Sequence, residues 1–222
     1  MISFGILVHN ETESFKELLD SIISAKKNYE YEIVVIYDPS TDDLAIHVES
    51  ILIEYKDHIK VFRRALNNDF ASQKNFMTEK CSGDYIVNID ADELLSQYIL
   101  ENAEVIAQQS ELIGLPRVNT VEGLTQEWSQ RFGFRVNDRG WINFPDTQWR
   151  IYKNDYPRIK WHNKVHENIL GHTSFANLSI DPEHVEHFAI LHPKSLDRQI
   201  IQNEKYAKII MDATIKTKPK KL

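Results

Sequence analysis

The sequence predicts an α/β protein built on a mostly parallel sheet with helices on both faces. Three observations carry that expectation. Short apolar runs rich in β-branched residues recur through residues 1–90, and the segments between them place their apolar residues at helical spacing. Those segments are about 10–15 residues long, the length of a crossover connection rather than of a hairpin turn.

In chain order, Ile2 to Val8 is the first strand, followed by a polar turn from His9 to Thr12. In SFKELLDSIISAKK, Phe15, Leu18, Leu19, Ile22 and Ile23 fall on one helical face. Glu32 to Tyr37 is the second strand, stopped by Asp38-Pro39-Ser40-Thr41. Residues 43–56 read as a second helix, Ile59 to Arg63 as a third strand and residues 70–80 as a third helix. Asp84 to Ile89 is the fourth strand, and it runs into Asp90-Ala91-Asp92. Such repeats form right-handed crossovers, and ligands of the resulting sheets bind outside the carboxyl ends of the strands. The polar residues just after strands two and four are therefore the ones placed to do chemistry.

The texture changes after about residue 115. Helical periodicity fades through 116–182, where all four tryptophans fall, at positions 128, 141, 149 and 161. From Pro193 to Ile215 the spacing is helical again (Leu196, Ile200, Ile201, Tyr206, Ile209, Ile210), and the chain closes on KTKPKKL. One domain over 1–222 is expected, with a ligand-binding half (1–115), a substrate-specific half (116–192) and a C-terminal helix and basic tail (193–222).

Composition narrows the function classes. Of 222 residues, 42% are hydrophobic and 27% charged, which supplies a core and argues against disorder. Asp and Glu number 33 against 26 Lys and Arg, so the net charge of −7 opposes a dedicated duplex-binding role. The single cysteine, Cys81, excludes a disulfide framework and a cysteine zinc site, and it suits a reducing, cytoplasmic setting. No apolar run approaches the ~18 residues of a membrane span, and the N-terminal stretch lacks the basic region of a secretory leader. Peripheral contact with an anionic membrane through Lys216, Lys218, Lys220 and Lys221 competes with the plainer reading of a solvated tail. There is no G-x-G-x-x-G, no P-loop and no G-x-S-x-G, and His166-Glu167 followed by His172 misses the zinc-protease spacing.

The sharpest motif is NIDADE, residues 88–93. Carboxylates one residue apart, directly after an apolar strand, are hard oxygen ligands suited to Mg²⁺ or Mn²⁺ and, through the metal, to phosphates. The plain alternative is a solvated acidic turn or the cap of the following apolar segment, LLSQYIL.

Four blocks in order resemble the family 2 glycosyltransferases of the GT-A fold. Phe4 to Asn10 resembles the family's opening strand and its asparagine-containing turn, and Ile33 to Asp42 its base-holding strand and acidic turn. Ala71-Ser72-Gln73-Lys74-Asn75 with Cys81 to Glu93 resembles the helix that runs into the family's metal motif. Phe144 to Tyr152 with Trp161 to Glu167 is similar to a branch acting on bacterial surface-glycan cores. The resemblance spans residues 2 to about 170. One departure is Tyr37, which stands where the family often has the first of two acids.

The resemblance implies transfer of a sugar from a nucleotide-diphosphate sugar, a UDP-sugar first, usually with inversion, to a glycan or glycolipid hydroxyl. Asn10, Asp38, Lys74, Asp90 and Arg150 would bind the donor. Asp90 and Asp92 would hold Mn²⁺ or Mg²⁺, with His166, or else His187, closing the site. Glu167 and Asp146 are the candidate bases for the acceptor hydroxyl, and Glu93 is a third. A hydroxylated DNA base or a protein side chain is the rival acceptor, and a GT-A-like scaffold without turnover is the rival of another class.

Overall fold

A computed structural model of the chain describes residues 1–39, 43–179, 181, 183–201 and 203. Strands β1 (Ile2–Val8), β2 (Tyr31–Tyr37), β3 (Lys60–Arg63) and β4 (Tyr85–Asp90) lie side by side in the order β3-β2-β1-β4, all parallel. Helices α1 (Glu13–Ser24), α2 (Leu44–Glu54) and α3 (Phe70–Lys80) connect them. These are the seven elements the sequence predicts over its first ninety residues, with ends shifted by at most three positions.

Both faces of this block are covered, which is why its strands are apolar nearly throughout. Alternate residues of β2 go to opposite sides. Ile33, Val35 and Tyr37 join Phe15, Leu18, Leu19 and Ile22 of α1 in one cluster, whereas Val34 and Ile36 join Ala71 and Met77 of α3 in the other. Gly5 lets α3 approach the sheet closely, since a Cβ there would sit 2.6 Å from the Met77 sulfur.

After β4 come β5 (Leu94–Leu95), α4 (Gln97–Ala107), β6 (Leu112–Glu122), α5 (Gln126–Phe132) and β7 (Asp146–Lys153). They are followed by β8 (Lys160–His162), β9 (Asn168–Leu170), β10 (Phe175–Asn177), a 3₁₀ turn (Val185–Phe188) and β11 (Ile190–Ser195). β7 enters antiparallel between β4 and β6, pairing Ile86 with Tyr152 on one side and Arg117 with Asp146 on the other. The full order is β3-β2-β1-β4-β7-β6-β11-β5, with β10 beside β6, and β8 and β9 form a separate ribbon.

The chain divides into two compact units, Met1–Val118 with Pro145–Leu191, and Asn119–Phe144 with His192–Leu222. In the smaller one, α5 is capped by Thr125, whose Oγ1 accepts from the Trp128 N–H (3.3 Å), and ends at Gly133 in the left-handed region (φ 68°). Asn137 Oδ1 accepts from the N–H groups of Arg139 and Trp141, turning the chain so that Trp141 is buried against Phe144.

Two expectations are corrected. The helix expected from Pro193 begins only at residue 196, because Pro193 to Ser195 continue β11. β5 pairs only with Ile190 and Leu191, so on that edge Pro193 has no ladder partner to disappoint by lacking an N–H. Residues 204–222, which hold most of that expected helix and the basic tail, lie outside the described residues. α5 was hidden in the stretch without helical period because none of its seven residues is buried.

Candidate active site

The site grows from the end of β4. Its last residue is Asp90, and the chain bends there, with the Glu93 N–H donating to the Asp90 carbonyl (3.0 Å). The bend turns the Glu93 carboxylate inward, fully buried, where Oε2 accepts from the Asp90 N–H (3.3 Å). The antiparallel neighbour β7 brings Arg150, also buried, whose Nη2 donates to Asp90 Oδ2 and to Glu93 Oε1, both at 2.7 Å. From β6, Arg117 donates through Nη1 to the same Glu93 oxygen (2.8 Å) and through Nε to Asp146 Oδ2 (2.8 Å). Charges thus alternate along a chain, Asp90–Arg150–Glu93–Arg117–Asp146.

Burial opposes ionisation of Asp90, but the charges of Arg150, Lys74 and Arg117 overcome it and hold the carboxyl well below its usual range. Burial likewise disfavours the Arg150 and Arg117 cations, and the facing carboxylates more than compensate, so both stay firmly protonated. Two groups at the base of the cluster, the Asn88 side-chain amide and Arg150 Nε, are buried without a hydrogen-bond partner among the described residues. Asn88 and Asp90 lie on one face of β4.

The opposite wall comes from α3. Lys74 is buried, and its Nζ donates to Glu167 Oε1 at 2.5 Å while lying 4.3 Å above the Trp161 ring. Asn75 fixes that wall to the helix: its Nδ2 donates to the Trp161 carbonyl (2.9 Å) and its Oδ1 accepts from the Trp161 N–H (2.8 Å). The Phe70 N–H donates to the Lys164 carbonyl (3.0 Å), tying the start of α3 to the same loop. Within that loop His166 is exposed and takes a left-handed backbone (φ 55°), a conformation that costs a non-glycine residue about 1–2 kcal/mol.

Between the walls is a cavity of about 290 Å³. Lys74, Asp90, Arg150, His166 and Glu167, all named from the sequence, line it together, beside the unforeseen Arg117. Asp146 is not among the lining residues but joins the cluster through Arg117. Asp38 lies at the end of β2, where Oδ1 accepts from the Leu66 N–H (3.1 Å) and Oδ2 is 3.2 Å from His9 Nδ1. Asn10 is half-buried in the turn after β1. Asp92 is half-buried in the bend, and the His187 ring stacks on His184 at 5.7 Å; neither lines the cavity. Glu93, a base candidate in sequence, is sealed from solvent between two guanidiniums. Arg117 left one sequence signal, a lone cation in the apolar run Leu112 to Val118.

Among the described residues no three His, Cys, Asp or Glu side chains converge as a ready-made metal cage. Asp90 is nonetheless a suitable hard ligand: its side chain is 38% exposed, and Oδ1 takes no hydrogen bond among the described residues. Mg²⁺ and Mn²⁺ commonly use one or two carboxylates and complete their shell with water and phosphate.

This arrangement, a parallel block continued by an antiparallel strand with acids at the β4 edge, is an α/β fold of the GT-A type. The chain belongs to the family described as Glycosyl transferase family 2, which matches residues 3–176. It is 27% identical over 172 residues to the SPbeta prophage-derived glycosyltransferase SunS of Bacillus subtilis (strain 168), covering 77% of this chain and 35% of that protein. It is 31% identical over 135 residues to the undecaprenyl-phosphate 4-deoxy-4-formamido-L-arabinose transferase of Pseudomonas fluorescens (strain SBW25), covering 59% and 39%. The chain thus spans little more than a third of the length of these relatives. Among solved structures, S. aureus TarS 1-349 in complex with UDP-GlcNAc shares the fold, with a TM-score of 0.56, 16% identity, and coverage of 87% of this chain and 58% of that one. No helix among the described residues is long and apolar enough to cross a membrane.

Proposed function

We propose that this chain transfers a sugar from a nucleotide-diphosphate sugar, with inversion and with a divalent metal, to a hydroxyl of a glycan or glycolipid acceptor. The observation that carries the reading is the charge cluster at the carboxyl edge of β4. Lys74, Arg117 and Arg150 face Asp90, Glu93, Asp146 and Glu167, three positive charges against four negative, an excess of one negative charge. A diphosphate would add further negative charge, so its binding in this place calls for an accompanying cation.

Asp90 and Asp92 would hold that cation, with His166 as the imidazole partner and His187 as the alternative. When bound, Mg²⁺ or Mn²⁺ supplies charge neutralisation to the departing diphosphate. The remaining roles belong to side chains. Asn10 and Asp38, after β1 and β2, address the nucleoside. Lys74 and Arg150 face the diphosphate. Glu167 lines the cavity and takes the proton of the acceptor hydroxyl as its oxygen bonds to the anomeric carbon and the bond from that carbon to the diphosphate oxygen breaks. Asp146, committed to Arg117 and to Gln148 (2.6 Å), is the second candidate for the base. Lys74 must then exchange Glu167 for the diphosphate, which frees the carboxylate when the donor is in place.

Uridine is favoured as the base by the UDP-GlcNAc complex of the fold neighbour TarS. A lipid-linked acceptor is favoured by the relative named as an undecaprenyl-phosphate transferase. The test is calorimetric titration with UDP, GDP, CDP and ADP, each with and without Mn²⁺. The expected result is UDP binding strengthened by Mn²⁺, with the metal-dependent part lost in Asp92→Asn. A wild-type chain that binds none of the four rejects the donor reading and leaves the scaffold class, while metal-independent binding unchanged in Asp92→Asn rejects the metal ligands alone.

A further inference from the structure

We infer that Arg117 is a phosphate-binding residue of this cavity, donating to the diphosphate of the donor; the inference rests on the donor-site reading above. Arg117 is a lining residue that neither the D-x-D motif nor the helix before it supplies. It sits on β6 directly after five buried residues, Leu112 to Pro116, at a register position facing Asp146 of β7. Its side chain is 20% exposed, against 4% for Arg150 and 7% for Lys74, so it is the most accessible cation of the three that line the cavity.

The hydrogen-bond count leaves it capacity. A guanidinium has five N–H donors in a rigid fork. In Arg117 one Nη1 donor goes to Glu93 and the Nε donor to Asp146. These two fixed contacts, through Nε and Nη1, orient the fork, and three donors remain for a ligand. Buried Glu93 is the device that sets this geometry, because its Oε1 accepts from Arg117 and from Arg150 together. The shared carboxylate holds two like-charged guanidiniums side by side, an arrangement that would repel without it and that matches the pair of phosphoryl groups in a diphosphate. Arg117 is thereby a positioned binder rather than a surface cation, and Glu93, untouched by ligand, is a positioning residue.

The test compares UDP, uridine and inorganic pyrophosphate binding to the wild-type chain, Arg117→Gln and Arg117→Lys, all at one fixed Mn²⁺ concentration so that only the side chain differs. The ratio of UDP to uridine affinity is the readout, because partial unfolding lowers both together and leaves the ratio alone. Arg117→Gln is expected to reduce that ratio about tenfold or more, as befits loss of charge-assisted hydrogen bonds, with Arg117→Lys recovering part of it. If the wild-type chain binds UDP and Arg117→Gln keeps the wild-type ratio, the inference is overturned while the donor reading stands. Pyrophosphate binding that depends on Arg117, in a chain that does not bind UDP, supports the phosphate site and removes the nucleotide reading. A wild-type chain that binds neither overturns both.

Discussion

At the scale of single residues, the site is a set of shared charges. Glu167 meets Lys74 at 2.5 Å, and Lys74 also faces the Trp161 ring, so the carboxylate is held ready but occupied. A general base contributes about 10²–10⁴-fold to rate and little to ground-state binding. Glu167→Gln keeps the shape and the contact with Lys74 but cannot take a proton. Steady-state kinetics of that variant should therefore show kcat reduced by about 10²–10⁴-fold with donor affinity within a fewfold of wild type. Retention of full kcat would move the base to Asp146. Asp90 was legible in the sequence because a D-x-D after an apolar strand has a position as well as a composition. The role of Glu93 was not, since an acid ahead of an apolar segment looks like a helix cap; only the bend at Asp90 turns it inward. Arg117 was illegible for a related reason. Its partners lie 24 and 29 positions away, in the bend after β4 and on β7, and no local period encodes their meeting.

At the scale of elements, local and non-local encoding separate cleanly. The crossovers of β1 to β4 are written in short-range spacing, because β1, β2 and β4 are apolar runs buried on both faces and α1 and α2 bury apolar residues at helical spacing. Beyond β7 come three strands of only three residues each, β8, β9 and β10, too short for a periodic pattern to announce them. β8 shows how such an element is kept. Asn75 on α3 offers both ends of its amide to the backbone of Trp161, substituting for a neighbouring strand. Asn75→Ala removes both bonds and leaves a partly buried N–H and carbonyl unpaired, a loss of about 1–3 kcal/mol in unfolding free energy. Because β8 leads into the loop that bears His166 and Glu167, the same variant should lower kcat more than it weakens donor binding. Denaturant unfolding and steady-state kinetics read the two effects separately. A stability loss without any change in kcat would show that the loop keeps its place without this amide clamp.

At the scale of the whole molecule, the chain is acidic, with a net charge of −7, and its stability toward acid depends on which carboxylates the fold has committed. Glu111 is the clearest. It precedes β6 and gathers two turns that are remote in sequence, accepting from Arg158 (2.6 and 3.1 Å) and from the N–H and hydroxyl of Thr173 (2.7 and 3.0 Å). The Arg158 guanidinium first, and the Thr173 N–H after it, lower the Glu111 carboxyl from its ordinary 4.5 to about 2. A carboxyl depressed on folding stabilises the folded state in full above its unfolded value, and that contribution disappears as pH falls through the folded value. Wild type and Glu111→Gln should therefore differ by a constant amount in Tm from neutral pH down to about 5, converge between about 4.5 and about 2, and coincide below. The sign is fixed by the direction of the shift: the variant is the less stable protein at neutral pH and loses less on acidification. Thermal unfolding of both proteins across that range measures the difference directly. A gap that stays constant down to pH 2 would mean that Glu111 acts through its shape and hydrogen bonds rather than its charge, and the two turns would then be held together by neutral contacts.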